Sequence, residues 1–370
     1  MNKKEIAEIK RQFTAANCSI ARICGCYVDA EKNIKADFRE AFLSLPEDEI
    51  FKYFEIFRKG LSGKIGKNLF NLEFLKSAKD KDGAQTFLLK LWNSRLQDDG
   101  LLREYYHKVI ENYNYVGNYL ILLIYDAYDV PGKGTDNIEM TDASDEVYSY
   151  IMCCVCPVEL SKPGLSYDEM AREFQNRIRD RVVGVTDTAF LFPAFNDRSA
   201  DVHATLMYAK KDLQEDLIEK VLGAMVPMPS DYQKDAFSEL IESTLGEKCT
   251  SGAIKAIHEE LLDLAEESRD LPDIKMLERE EVFDIISKQS EEELNQNEFN
   301  AVYENLLGGE NLMLSNLVSN GLLNVDMPGV LVKVDETCIG DVEVKMVDGR
   351  KCLVIGISGD FEINGTKCEK

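Results

Sequence analysis

The densest group of reactive side chains lies in the segment Asn196–His203, which the hydrophobic pattern places between two core strands. It holds two carboxylates, a histidine and an arginine, namely Asp197, Asp201, His203 and Arg198. If a strand begins near Asp201, the side chains of Asp201 and His203 share one face, because side chains alternate along a strand. A carboxylate and an imidazole so placed could bind a divalent metal ion, with Asp197 or Asp126 completing a hydrolytic site.

A structural interpretation of the same segment competes with the catalytic one. Hairpin loops are rich in Asn and Asp, because these side chains accept hydrogen bonds from nearby backbone amides. Arg198 would then form an ion pair. The chain holds three histidines, and no Ser/His/Asp or Cys/His spacing indicates nucleophilic catalysis. We therefore favour a non-catalytic interaction or regulatory protein without a cofactor; the alternative is a metal-dependent hydrolase, either a phosphoesterase or a nuclease.

Two basic clusters offer further binding residues. Lys64 and Lys67 lie in a Gly-rich stretch, Arg58–Lys67, and could meet a phosphate or the acidic helices of the same chain. Arg177 and Arg181 lie one turn apart if the segment forms a helix. That helix could be a self-paired, solvated surface or a cationic stripe that docks an acidic partner or RNA. With Arg198, these four residues are the predicted binding set.

Charge and composition limit the classes of partner. The chain has 370 residues and a net charge of −24. A surface this acidic repels nucleic acid unless one face is locally basic, so a protein partner or self-association is the expected interaction. Between Glu259 and Glu310, 17 acidic and 4 basic residues give a net charge of −13. The longest charge-free apolar run, Tyr119–Tyr125, is far shorter than a membrane span of roughly 18 residues. We expect a cytoplasmic protein without a membrane segment.

Ten cysteines lack the spacing of a metal site. Cys24 and Cys26 form a C-x-C pair, and a C-C-x-C group lies in the apolar run Ile151–Val158, whereas zinc sites usually show C-x₂-C pairs. A Cys in such a run behaves as a small buried apolar residue. The sequence therefore predicts reduced, mostly structural thiols and no bound metal.

The elements that position these residues indicate an α+β fold. Strands are predicted at Ile20–Val28, Tyr119–Tyr128, Val147–Val158, Thr188–Phe195 and Val202–Tyr208. Helices are predicted at Lys3–Phe13, Glu47–Lys59, Gln85–Leu96, Leu101–Tyr115, Ser166–Val182 and Asp212–Gly223, several of them after capping-box sequences such as Ser44–Glu47 and Ser166–Glu169. The order suggests repeated strand-strand-helix units around a mostly antiparallel sheet with flanking helices.

The sequence predicts three parts along the chain. The first is an α+β body over residues 1–246, with N-terminal helices in 1–118 and the central sheet in 119–225. An acidic helical segment follows over 247–325, and a small β module over 326–370. Asp348-Gly349 between two alternating strands is a strong hairpin signal, and Asn364-Gly365 indicates another tight turn.

Several motifs together resemble a known family. They are Asn17–Asp29, Tyr128–Lys133, Ile178–Asp180 and Phe190–Ser199, with the closing β module. The chain resembles, over nearly its whole length, the uncharacterised bacterial proteins grouped as domain of unknown function 4317. The resemblance implies a cytoplasmic bacterial protein that forms one family unit. It implies no activity, cofactor or catalytic residue.

Overall fold

The computed structural model divides the chain into two compact units, Met1–Pro227 and Met228–Lys370. It describes residues 1–133, 139–140, 146–268, 271, 274–290, 294–318, 322–357, 361–363 and 366–368. Both units mix helices and strands, which confirms the predicted α+β class. The predicted three-part division, with boundaries at 246 and 325, stays a prediction.

The first unit carries the long strands. Its helices are α1 (Lys3–Lys10), α2 (Glu47–Gly60), α3 (Ala84–Asn93), α4 (Asp99–Asn112) and a π-helix at Leu217–Leu222. Its strands are β1 (Arg22–Val28), β2 (Ile34–Ala41), β3 (Leu69–Glu73), β4 (Asn118–Val130), β5 (Gly132–Lys133), β6 (Glu139–Met140), β7 (Glu146–Leu160), β8 (Leu165–Asp168), β9 (Glu173–Asn176), β10 (Arg181–Val183), β11 (Thr188–Phe192), β12 (Ala194–Asn196), β13 (Ser199–Asp201) and β14 (Ala204–Ala209).

One antiparallel sheet organises this unit, with the order β2-β1-β4-β7-β11-β14-β3 and β10 paired to the end of β7. The longest ladder joins β4 to β7, from Asn118 opposite Val158 to Val130 opposite Glu146. This β4–β7 ribbon continues beyond its neighbours, because β1 pairs no further along β4 than Tyr125. From Asp126 onward the ribbon is therefore two strands wide.

Both faces of the central sheet are covered. Side chains of α3, α4 and the π-helix join one core with Cys153 and Val155 of β7. On the opposite face, α2 comes so close that a Cβ on Gly60 would lie 2.7 Å from the Met152 Cε and 3.0 Å from the Ala189 Cβ. Gly60 is thus the buried last residue of α2.

The helix predicted at Ser166–Val182 is wrong. Strands β8, β9 and β10 occupy this segment, so the first of the two predicted repeats has strands where its helix was expected. The carboxylate of Asp168 accepts hydrogen bonds from the amides of Met170 and Ala171, and this closes a turn instead of starting a helix. The capping box at Ser44–Glu47 is also absent: the Ser44 Oγ donates to the Ala41 carbonyl oxygen, while α2 begins without a side-chain cap.

The second unit combines acidic helices with short strand pairs. Its helices are α5 (Ser230–Leu245), α6 (Ser251–Glu267), α7 (Arg279–Ser287), α8 (Gln296–Leu307) and α9 (Leu314–Leu317). Its strands are β15 (Met276–Leu277), β16 (Leu312–Met313), β17 (Leu322–Met327), β18 (Val330–Asp335), β19 (Val342–Val347), β20 (Arg350–Ile355), β21 (Phe361–Ile363) and β22 (Thr366–Cys368). The helices bury Phe237, Ile257 and Tyr303 in one apolar core.

The C-terminal strands pair as hairpins. Strand β19 pairs with β20 in the register Val347 opposite Arg350, so Asp348 and Gly349 form the predicted two-residue turn. Both turn residues have positive φ, 49° and 76°. The predicted turn at Asn364-Gly365 lies outside the described residues.

Candidate functional site

Asp126 lies in a closed cage of hydrogen bonds. Its carboxylate is fully buried and accepts from the Ser19 Oγ at 2.8 Å, the Tyr150 hydroxyl at 2.7 Å and the Ala127 amide at 2.8 Å. The register places Asp126 directly opposite Tyr150, so the two side chains share one face of the β4–β7 ribbon. Burial raises the pKa of Asp126, although its three donors oppose that shift. This carboxylate is a buried structural group with three hydrogen-bond donors.

The segment Asn196–His203 forms a short hairpin, as the structural interpretation predicted. Strands β12 and β13 pair, with Asn196 opposite Ser199, so Asp197 and Arg198 make a two-residue turn. Both have positive φ, 49° and 62°, as in the primed turns that suit a hairpin twist. Asp197 therefore lies at the tip of a hairpin.

The side chains around this hairpin are engaged in local contacts. The Asp201 carboxylate accepts from the Asn196 side-chain amide at 2.7 Å and from the His203 backbone amide at 2.9 Å. Arg198 forms an ion pair with Glu8 at 3.2 Å and donates to the Pro131 carbonyl oxygen at 2.9 Å. These contacts tie the hairpin to α1 and to the end of the β4–β7 ribbon.

The four predicted catalytic residues do not assemble into a metal site. Within the described ranges, no three His, Cys, Asp or Glu side chains are placed to hold a metal ion. Asp126 is sealed by its own donors, and the carboxylate of Asp201 is occupied within the hairpin. The geometry gives no support to a metal-dependent hydrolase.

Lys64 and Lys67 lie in the tight connection between α2 and β3. The Lys64 carbonyl oxygen accepts from the amides of Lys67, Asn68 and Leu69, and Gly66 has a φ of 82°. Both lysine side chains are exposed. The turn thus accounts for the glycine at position 66. A binding role of the two lysines stays a prediction.

Arg177 and Arg181 belong to an arm that projects from the sheet, and not to a helix. We define the β8–β9 arm as residues 160–185. Its base is the β7–β10 ladder, in which Leu160 lies opposite Arg181. Backbone bonds from Ser161 to Asp180 and from Arg177 to Gly164 extend the pairing toward β8 and β9. The arm is therefore an ordered hairpin.

The apolar face of the β8–β9 arm is open to solvent. Its register puts Tyr167 opposite Phe174, and the two rings lie 5.3 Å apart between centroids. Leu165 shares their face, while Ser166, Asp168, Glu173 and Gln175 occupy the other one. Leu165, Tyr167 and Phe174 are 74%, 53% and 70% exposed. Met170 at the tip and Ile178 near the base are also exposed.

The sequence analysis missed this apolar face because it took the segment for a helix. The alternation of Leu165, Ser166, Tyr167 and Asp168, repeated in Glu173–Asn176, was a period-2 signal for two strands. The capping-box sequence at Ser166–Glu169 outweighed it. A two-stranded hairpin that is polar on one face needs a partner for the other, and that pattern could have revealed the surface.

The C-C-x-C group lies in a buried strand, as its apolar run predicted. Nine of the ten cysteines are free, and Cys153, Cys154 and Cys156 are buried in β7. Burial raises the pKa of Cys24 to about 11 and that of Cys153 to about 12. A thiol with so high a pKa carries little thiolate at neutral pH and is unreactive.

These features define a mixed α+β protein with a doubly covered antiparallel sheet, a projecting amphipathic arm and a second unit of acidic helices. No helix in the described ranges combines the length and apolar character of a bilayer-spanning segment. The chain belongs to the family described as domain of unknown function (DUF4317), whose family model matches residues 1–366. This confirms the resemblance found in the sequence. A comparison with curated proteins finds no match.

Proposed function

We propose that this protein is a non-catalytic interaction protein and that the β8–β9 arm binds another protein. The observation that carries the proposal is the exposed apolar face formed by Leu165, Tyr167 and Phe174. Exposed apolar groups that cluster on one face of a monomer mark interaction surfaces, because solvating them costs free energy that a partner recovers. A cytoplasmic location belongs to the same proposal.

The charges beside this face favour an acidic partner. Arg172, Arg177, Arg179 and Arg181 lie within ten residues of chain that hold two acidic residues. Arg179 donates to the Ser161 carbonyl oxygen, whereas Arg177 and Arg181 are exposed. Guanidinium groups on the same arm as an apolar patch attract carboxylates and raise the association rate. The partner that fits is a protein segment with apolar side chains and acidic flanks.

Affinity capture with matched variants tests this proposal. The tagged protein would be recovered from the cells that naturally produce it, beside the arm variant Leu165→Ser/Phe174→Ser and the control variant Leu43→Ser/Val116→Ser. The control removes two apolar side chains that are also mostly or fully exposed but lie outside the arm. Because all four positions are exposed, both variants should melt close to the wild type.

The expected result is a partner that wild type and control recover and that the arm variant loses. Recovery should also fall with added salt, because salt screens the charges of the arginines on the arm. A second copy of the chain, recovered in the same arm-dependent way, would identify the interaction as self-association. A set of recovered proteins that is identical for all three baits would contradict the proposal.

A further inference from the structure

A cleft of about 490 Å³ lies at the end of the β4–β7 ribbon, on the face opposite Asp126. Side chains alternate along a strand, so Tyr125, Ala127 and Ser149 face this cleft while Asp126 and Tyr150 face the hydrogen-bonded cage. Its volume lies in the range of small-molecule sites. The cleft and the cage are therefore separate features of one ribbon.

Two arginines line this cleft, Arg22 and Arg95. Arg22 is half-buried on β1 and lies opposite Tyr125 in the sheet register. Among the residues that the structure describes, neither guanidinium has a hydrogen-bond or ion-pair partner, whereas Arg39 pairs with Asp99 and Arg198 with Glu8. In a chain with 67 acidic and 43 basic residues, two guanidinium groups without a partner among the described residues are a distinctive feature of one cleft.

The backbone holds Arg95 in a conformation that its residue type disfavours. Arg95 and Leu96 connect α3 to α4 with φ values of 52° and 58°. Helices commonly end with a left-handed residue, and this conformation costs free energy for residues other than glycine. Leu96 is fully buried and anchors the connection, so packing fixes the backbone of Arg95, while the Arg95 side chain is exposed.

We infer that the cleft binds a small molecule through an oxyanion, a phosphate ester or a pair of carboxylates. Planar guanidinium groups match both kinds of oxyanion with paired N–H donors. Gln97 and the Ser149 side chain line the same cleft and supply neutral polar contacts. Tyr125 and Val147 add apolar surface for the body of the ligand. This inference is independent of the β8–β9 arm.

Trp92 provides a built-in reporter for a binding test. It is the single tryptophan of the chain, and its Nε1 donates to the backbone carbonyl oxygen of Ser149 at 3.0 Å. The purified full chain would be titrated with ribose 5-phosphate, succinate, inorganic phosphate and uncharged ribose, while Trp92 fluorescence and the melting temperature are recorded. We expect a saturable fluorescence change and a raised melting temperature with ribose 5-phosphate or succinate but not with ribose.

The two anions distinguish the ligand chemistries. A response to ribose 5-phosphate assigns a phosphate ester, and a response to succinate assigns a dicarboxylate. A response to inorganic phosphate that equals the best organic probe would overturn the inference, because the cleft would then select nothing beyond an adventitious ion.

Variants of the two arginines complete the test. Arg22→Gln and Arg95→Gly should each weaken binding about tenfold or more, because each removes charge-assisted hydrogen bonds. Glycine accepts the left-handed backbone at position 95, so the Arg95→Gly protein should stay folded. Arg11→Gln, which removes an exposed guanidinium just after α1, is the control and should bind as the wild type does. No response to any anion in the wild type, or equal affinity in all variants, would overturn the inference.

Discussion

Two hairpins of the first unit use their side chains in opposite ways. The β12–β13 hairpin packs Phe195 against Tyr148, with ring centroids 4.5 Å apart, and Arg198 ties its tip to Glu8. The β8–β9 arm instead holds Tyr167 and Phe174 together on a face that solvent reaches. The hairpin rich in catalytic residue types thus packs as a structural part of the first unit, whereas the apolar face of the arm is exposed to solvent. Exposed apolar side chains indicate an interaction surface better than the presence of catalytic residue types does.

Truncating one aromatic ring in each hairpin should give the largest contrast. Phe195 is fully buried, so Phe195→Ala should lower the free energy of unfolding by about 3–5 kcal/mol. Phe174 is mostly exposed, so Phe174→Ala should change it by less than about 0.5 kcal/mol. Urea denaturation of both variants measures the difference. Equal losses would show that the arm packs as the body hairpin does and would remove the contrast.

The second largest loss of stability is expected in the β4–β7 ribbon, which packs against the β12–β13 hairpin. Tyr150→Phe removes a donor from the buried Asp126 carboxylate and should cost about 1.5–3 kcal/mol of unfolding free energy. Because burial raises the pKa of Asp126, the unfolded chain releases this proton at lower pH than the folded protein does. The carboxylate therefore costs stability above its raised pKa and less as the pH falls toward the ordinary Asp range.

Paired urea titrations at neutral pH and near pH 4 check this sign. The stability of the wild type relative to Asp126→Asn should increase as the pH is lowered. A relative stability that decreases on acidification would mean that Asp126 is held as a stabilised anion, the state expected of a metal ligand.

The β19–β20 hairpin tests whether turn geometry alone determines how much stability a turn substitution removes. The Asp348-Gly349 turn, like Asp197-Arg198, has positive φ at both turn residues. Gly349→Val places a β-branched residue in a left-handed conformation and should cost about 1–2 kcal/mol locally. Hydrogen exchange of the β19 and β20 amides should accelerate. Unchanged exchange would show that the strand pairing does not depend on this turn.

Only a small effect is expected at the residues that looked most catalytic. Asp201→Asn and His203→Gln should each change stability by about 1 kcal/mol or less, since their contacts are local and partly exposed. We expect Mn²⁺ to leave the melting temperature of the wild type unchanged. A Mn²⁺-dependent rise that both variants abolish would restore the hydrolase hypothesis.

The sequence predicted those parts of the fold in which local pattern and tertiary environment agree. Strand β4 is an apolar run, and Asp348-Gly349 is a turn by its residue types, so both were found. Strand β2 was missed because it is an exposed edge strand whose residues carry little apolar alternation. Likewise, the arm was misassigned because a helix-start sequence coincided with a turn that Asp168 closes.

For the candidate sites, too, the sequence revealed local features but not those that depend on long-range packing. The polar character of Asn196–His203 could be read from the sequence, but its role could not, since the ion pair of Arg198 with Glu8 spans 190 positions of chain. The pairing of Arg22 and Arg95 in one cleft depends on how α3 and α4 lie on the sheet. Long-range packing of this kind leaves no local signal.

The central claim is that the β8–β9 arm, and not the β12–β13 hairpin, contacts another protein. Its most direct test is site-specific photocrosslinking in the cells that naturally produce the protein. A photoreactive phenylalanine analogue would replace Phe174 in one variant and Asp197, at the tip of the other hairpin, in a second. We predict a discrete crosslinked protein from position 174 and none from position 197. Crosslinks from position 197 alone, or from neither position, would contradict the claim.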